Sequence, residues 1–157
     1  MIIYYLERVS SVFVTSDNKY IVSGSNDQSI KVFDMENKEQ VHQVHHIPEA
    51  HKVDFPEEGK VPNKRLEPIN AVIVTTDKRY IISGSNDKSV NIFKWNAKKA
   101  FLRIQPPHQG LYLLKKKNYI IILEQIYSLA LTSDNRFLVY SSVKSVKIYD
   151  LDTQQQI

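Results

Sequence analysis

Three groups of side chains in this chain could do chemistry. His42, His45, His46 and His51 lie close together, and neutral imidazole is the commonest protein metal ligand. Lys115, Lys116 and Lys117 stand between Tyr112 and Tyr119, a pattern that could grip phosphates while bases stack on the rings. Asp17, Asp77 and Asp134, with Asp27 and Asp87, supply carboxylates of the kind that acid–base catalysis uses.

Each group also has a plainer reading. His45 and His46 are neighbours, and on a strand neighbours point to opposite faces. With no carboxylate at a matching spacing, the cluster reads as a polar edge strand and no metal is expected. The lysine triplet reads as a solvated hairpin tip, where lysine discourages edge pairing. The aspartates all fall at matched turn positions, where Asp bonds backbone amides. There is no GxSxG, no HExxH and no glycine-rich phosphate loop, since Gly24 and Gly84 each stand alone. No catalytic residue and no cofactor is therefore expected, and the chain is read as not an enzyme.

What must position these side chains is visible in a repeat. YIVSGSNDQSIKVFD, Tyr20 to Asp34, returns as YIISGSNDKSVNIFK, and between Val12–Phe33 and Val72–Phe93 13 of 22 positions are identical. A third copy, LALTSDNRFLVYSSVKSVKIYD, is one residue shorter and lacks GSND. A unit written several times at a near-constant offset stacks on copies of itself, because one copy cannot bury its own apolar face. Within a copy apolar residues recur at every second position in three short runs, Val12 and Val14, Tyr20 and Val22, Ile30 and Val32, the signature of strands. Ser16-Asp17-Asn18, Gly24-Ser25-Asn26-Asp27 and Glu36-Asn37-Lys38 separate them and read as turns. With a fourth strand near Gln40 to Val44, each copy is an antiparallel four-stranded meander. Ile21, Ile81 and Leu138, and likewise Val32, Ile92 and Ile148, occupy matched positions and are expected to be buried.

Bulk properties bound the class. The 157 residues are 42% apolar and 24% charged with a net charge of +4, ordinary values for a globular domain. Acidic and basic residues are interspersed, which argues against a nucleic-acid footprint. Absence of cysteine excludes disulfides and thiolate zinc sites and suits the cytoplasm, or the nucleus. MIIYYLERVSS carries too short an apolar run for a signal-peptide core, and no run approaches the roughly 20 residues of a membrane span.

SGSNDQSIKVFD resembles the blade signature of the WD-repeat β-propeller family, in which a small-residue and Asp turn leads into a strand ending in Trp-Asp. Here the endings are Phe33-Asp34, Phe93-Lys94 and Tyr149-Asp150. The resemblance implies an all-β fold of about three four-stranded blades in an open or partial ring, forming one domain over 1–157. Blade 1 spans about 9–46, blade 2 about 69–105 and an incomplete blade 3 about 126–157, with insertions at 48–68 and 106–125. It further implies a hydrogen-bond chain in each blade from aromatic to Ser, His and turn Asp. Carried over singly, blade 2 would use His51, Ser83 and Asp87, with Phe93 in the Trp place. Blade 1 keeps Ser23 and Asp27 without a histidine, and blade 3 keeps His108 but has Val143 or Lys144 at the turn.

WD blades recur every ~40–45 residues, whereas Asp17 to Asp77 is 60 residues and Asp77 to Asp134 is 57. The excess lies in the two insertions, which should leave one face. The function expected is a noncatalytic protein–protein interaction scaffold binding proteins or peptides through that face, with Lys64, Arg65, Tyr112 and Lys115 to Lys117 as candidate contacts. The alternatives are a basic RNA- or DNA-binding module and a fragment of a longer WD-repeat protein without autonomous function. Three blades leave apolar flanks, so self-association to complete a ring is a further expectation, with Ile2 to Leu6 supplying an outer strand.

Overall fold

The computed structural model describes residues 4–46, 67–97, 99–104 and 125–157. These residues form three antiparallel four-stranded sheets and no helix. No helix among them is long and apolar enough to cross a membrane. Blade 1 pairs β1 (Val9–Val14), β2 (Tyr20–Ser25), β3 (Ser29–Asp34) and β4 (Glu39–His45) in that order. Blade 2 repeats it with β5 (Ile69–Val74), β6 (Tyr80–Ser85), β7 (Val90–Lys94) and β8 (Leu102–Ile104). Blade 3 follows with β9 (Ser128–Leu131), β10 (Phe137–Ser141), β11 (Val146–Asp150) and the two-residue β12 (Gln155–Gln156).

The aspartates build the turns. Asp17 Oδ1 accepts from the Thr15 hydroxyl at 2.7 Å and the Lys19 N–H at 3.2 Å, while Thr15 Oγ1 accepts the Tyr20 N–H at 3.0 Å. Thr75, Asp77, Arg79 and Tyr80 repeat this set, and so do Thr132, Asp134, Arg136 and Phe137. With the side chains holding the loop, Asn18, Lys78 and Asn135 take positive φ of 56°, 57° and 60°, which Asn tolerates better than Lys. Lys78 is held in addition by Asp17 of the neighbouring blade, Nζ to Oδ2 at 2.5 Å. Each carboxyl is acidified. At Asp77 burial pushes upward, but the Arg79 amide, the Thr75 hydroxyl and the Arg79 guanidinium outweigh it and bring the pKa to about 2.

Gly24 and Gly84, expected as turn residues, lie instead inside strands β2 and β6. Their requirement is space rather than a left-handed backbone. A Cβ at Gly24 would stand 2.7 Å from Ile69 Cγ2, and one at Gly84 would stand 2.5 Å from Ile126 Cγ2. The first strand of the following blade is thus seated directly on the glycine of the preceding one.

The core lies between the sheets. Each blade has a forward face and a rear face, set by strand alternation. The forward face of blade 1, Val22, Ile30, Val32 and Val44, packs on the rear face of blade 2, Ile69, Val72, Val74, Ile81 and Phe93. The forward face of blade 2, Ala71, Ile73, Ile82, Val90, Ile92 and Ile104, packs in turn on Ile126, Leu129, Leu138, Tyr140 and Tyr149 of blade 3. A register shift between Ile69 and Ala71 leaves Ile69, Val72 and Val74 on one side, as a bulge does. Polar bonds stitch the same junctions: the Val72 N–H donates to Ser11 Oγ at 3.0 Å and Asn70 Nδ2 donates to the Ile126 carbonyl at 2.8 Å.

Burial at the matched positions is therefore not uniform. Ile81, Leu138, Val32 and Ile92 are buried as expected, but Ile21 is only half-buried and Ile148 is 40% exposed. Ile21 lies on the rear face of blade 1 and Ile148 on the forward face of blade 3, and neither face has a described blade against it.

Candidate interaction face and the network behind it

Antiparallel order places the start of β1, the end of β2, the start of β3 and the end of β4 on one edge of the blade. The chain leaves β4 and enters β5 at this edge, and leaves β8 and enters β9 at the equivalent one. The β2–β3 and β6–β7 turns, which carry Asp27 and Asp87, lie here too. Asp27 Oδ1 accepts from the Ser29 N–H at 2.8 Å and the Ser29 hydroxyl at 2.5 Å. Asp87 Oδ1 does the same with Ser89, at 2.9 and 2.6 Å.

Behind the turn of blade 2 stands His46, fully buried. Its Nδ1 lies 2.7 Å from Ser83 Oγ, and its Nε2 lies 2.9 Å from Ser89 Oγ and 3.3 Å from Asp87 Oδ1. Arg103 Nη2 donates to the other carboxylate oxygen of Asp87 at 2.8 Å. Burial would raise the Asp87 pKa, but the His46 bond and the Ser89 donors outweigh it, so the carboxyl sits well below the usual range. The His46 N–H donates to the Gln28 carbonyl of blade 1 at 2.9 Å. One residue thereby ties its backbone to blade 1 and its side chain to blade 2.

This corrects the placement of the network histidine. His51 itself lies outside the described residues, and the bonds to Ser83 and Asp87 expected of it are made by His46. The sequence signal was the strand pattern itself, because His46 directly follows β4. Phe93, in the aromatic position, is buried among Val22, Ile81 and their neighbours and offers no N–H.

Blade 1 fills the corresponding place with a phenol. Tyr5 Oη is hydrogen-bonded to Ser23 Oγ, the counterpart of Ser83, and Lys31 Nζ lies 4.1 Å from the centre of the Tyr5 ring. Burial raises the Tyr5 pKa, and the nearby Asp27 charge adds to that effect against the Ser23 bond. Tyr4, Tyr5 and Leu6 are not in a strand of the single copy, and Ile2 and Ile3 lie outside the described residues. No motif pointed to Tyr5, since the family pattern calls for histidine. In blade 3 the serine position is taken by Tyr140, buried, with its hydroxyl donating to Gln156 Oε1 at 3.2 Å. The shortened turn there closes through the Ser142 N–H to the Ser145 carbonyl at 2.8 Å, with Val143 and Lys144 between them.

The histidine cluster does not assemble. His42 Nε2 lies 3.1 Å from the Ala97 carbonyl, His45 pairs with Gln43, and the His46 side chain is bonded within blade 2. Among the described residues no three metal-ligating side chains converge. Trp95, half-buried, meets Tyr20 of blade 1 edge-to-face at 5.3 Å and so belongs to the blade 1–blade 2 junction. His108, Lys64, Arg65, Tyr112 and Lys115 to Lys117 lie outside the described residues.

Four-stranded antiparallel sheets stacked face to face, with the first strand of each blade packed on the blade before it, define an open run of β-propeller blades. Two stretches, residues 5–34 and 62–94, match the WD40 family, described as WD domain, G-beta repeat, so WD-type repeats are found in blades 1 and 2. The third blade repeats the architecture outside those matches. Comparison with curated proteins gives no match.

Proposed function

We propose that the chain is a noncatalytic scaffold that binds protein or peptide partners at the edge where both inter-blade connections emerge. WD40 repeats generally serve as noncatalytic platforms for protein interactions. The observation that carries the finer reading is geometric: the strand ends that flank the two long connections lie at the edge of the Asp27 and Asp87 turns, and His46, Ser83, Asp87 and Arg103 brace blade 2 directly behind it. Segments free to vary on a braced frame are where binding residues concentrate. The basic residues Lys64, Arg65 and Lys115 to Lys117, with Tyr112, are the contacts proposed, and they suit an acidic peptide.

The test replaces residues 47–66 and 106–124, separately, with short Gly-Ser linkers and compares affinity capture from cell extract by mass spectrometry. The expected result is loss of the captured proteins with circular dichroism and melting unchanged. Capture of the same proteins by both variants, or recovery of nucleic acid alone, would overturn the reading.

A further inference from the structure

The two outward flanks of this structure are the two halves of a junction that the chain makes twice internally. On the rear face of blade 1, Val9, Val12 and Val14 are exposed, Val12 by 61%. Their counterparts Ile69, Val72 and Val74 in blade 2 are all buried against blade 1. On the forward face of blade 3, Val146 is 69% and Ile148 40% exposed. Their counterparts are Ile30 and Val32 in blade 1 and Val90 and Ile92 in blade 2, none more than 3% exposed. One molecule therefore presents both an unmatched forward face and an unmatched rear face, in the same residue types that mate at the internal junctions. Contiguous apolar patches of more than a few hundred Å² are uncommon on soluble monomers.

We infer that two copies associate head to tail, the forward face of blade 3 of each packing on the rear face of blade 1 of the other, to give a ring of six blades. A two-fold axis relates the two junctions, so each copy's blade 3 meets the other's blade 1 and the pair is closed. Six blades lie within the about four to eight that propellers use, whereas three copies would make nine. The junction is looser than the internal ones. Ser141 pairs with Val146 as Gly24 pairs with Ile30, so Val9 of the second copy meets a side chain where Ile69 meets none. Lys31 stands at the register position of buried Asn91, but its ammonium is already engaged by the Tyr4 carbonyl at 3.1 Å and the Tyr5 ring. The association is accordingly a reversible, concentration-dependent dimer.

Sedimentation velocity on the 157-residue chain across micromolar concentrations tests this, with Val12→Glu and Val146→Glu as variants. Both sites are exposed in the single copy, so neither charge enters a core, and cooperative melts verify folding; Val14→Lys and Ile148→Lys replace any variant that fails to melt cooperatively. The wild-type chain is expected at twice the monomer mass and each variant at monomer mass. Mixing Val12→Glu with Val146→Glu restores one intact junction, so donor- and acceptor-labelled variants transfer energy only when mixed together. A folded wild-type monomer, soluble aggregates without a defined dimer, variants that stay dimeric, or a mixture without energy transfer would each overturn the proposal.

Discussion

Replacing His46 with alanine separates the observed network from the one the family pattern implied. The imidazole supplies Ser83 Oγ with a partner at 2.7 Å and reaches both Ser89 and Asp87, in a site with no exposed surface. Without it the Ser83 hydroxyl is left buried without that bond, a loss of about 1–3 kcal/mol. The vacated ring volume adds a cavity cost, because packed interiors collapse only in part. Asp87 keeps Arg103, Ser89 and the turn amide, so its charge is not stranded. Together the loss is about 3 kcal/mol. For a chain of this size that is a fall in melting temperature of roughly 6–12 °C, read by far-UV circular dichroism with urea unfolding as a second probe. His51→Ala is the control and should stay within about 0.5 kcal/mol of wild type, because the bonds to Ser83 and Asp87 are made by His46. If His51→Ala costs more than His46→Ala, the assignment of the network histidine is wrong.

Three further outcomes follow from the blade junctions. Ile81→Ala, at a fully buried rear-face position, should cost about 2–5 kcal/mol, and an effect below about 0.5 kcal/mol would show that the register is misplaced. Gly84→Ala drives a Cβ into Ile126 and should cost about 1–3 kcal/mol; combining it with Ile126→Ala should cost less than the two single losses added, and strict additivity would show that the residues do not touch. Asp87 has a folded pKa below its unfolded value of about 3.9, so its contribution is complete above that value and disappears as pH falls through the folded pKa. Asp87→Asn should therefore be destabilised at neutral pH and have a flatter acid limb below about pH 4 in acid titrations of stability, and an unchanged limb would assign that limb to other carboxylates.

The repeat and its strand alternation were legible because both follow from local chemistry: β-branched residues at period two, and Thr-x-Asp turns that carry their own hydrogen bonds. The network histidine was less so. The family pattern places its histidine ahead of a blade's first strand, and His51 is the histidine that precedes Ile69 most directly. In this chain the long connection comes after the histidine, and His46 is held where β4 ends by its bond to Gln28. Tyr5 was harder still, since a phenol can meet Ser23 only if the segment before β1 lies against the blade, which no residue pattern announces. The glycines were misassigned because sequence shows that a Cβ is missing, not whether space or backbone angle required it. Ile148 shows the deepest limit. It matches Val32 and Ile92 in type and register, yet burial belongs to a pair of surfaces and a sequence encodes only one of them at a time. That Ile148, Val146, Val12 and Val14 keep junction residue types while exposed is the physical reason to look for the surface that covers them.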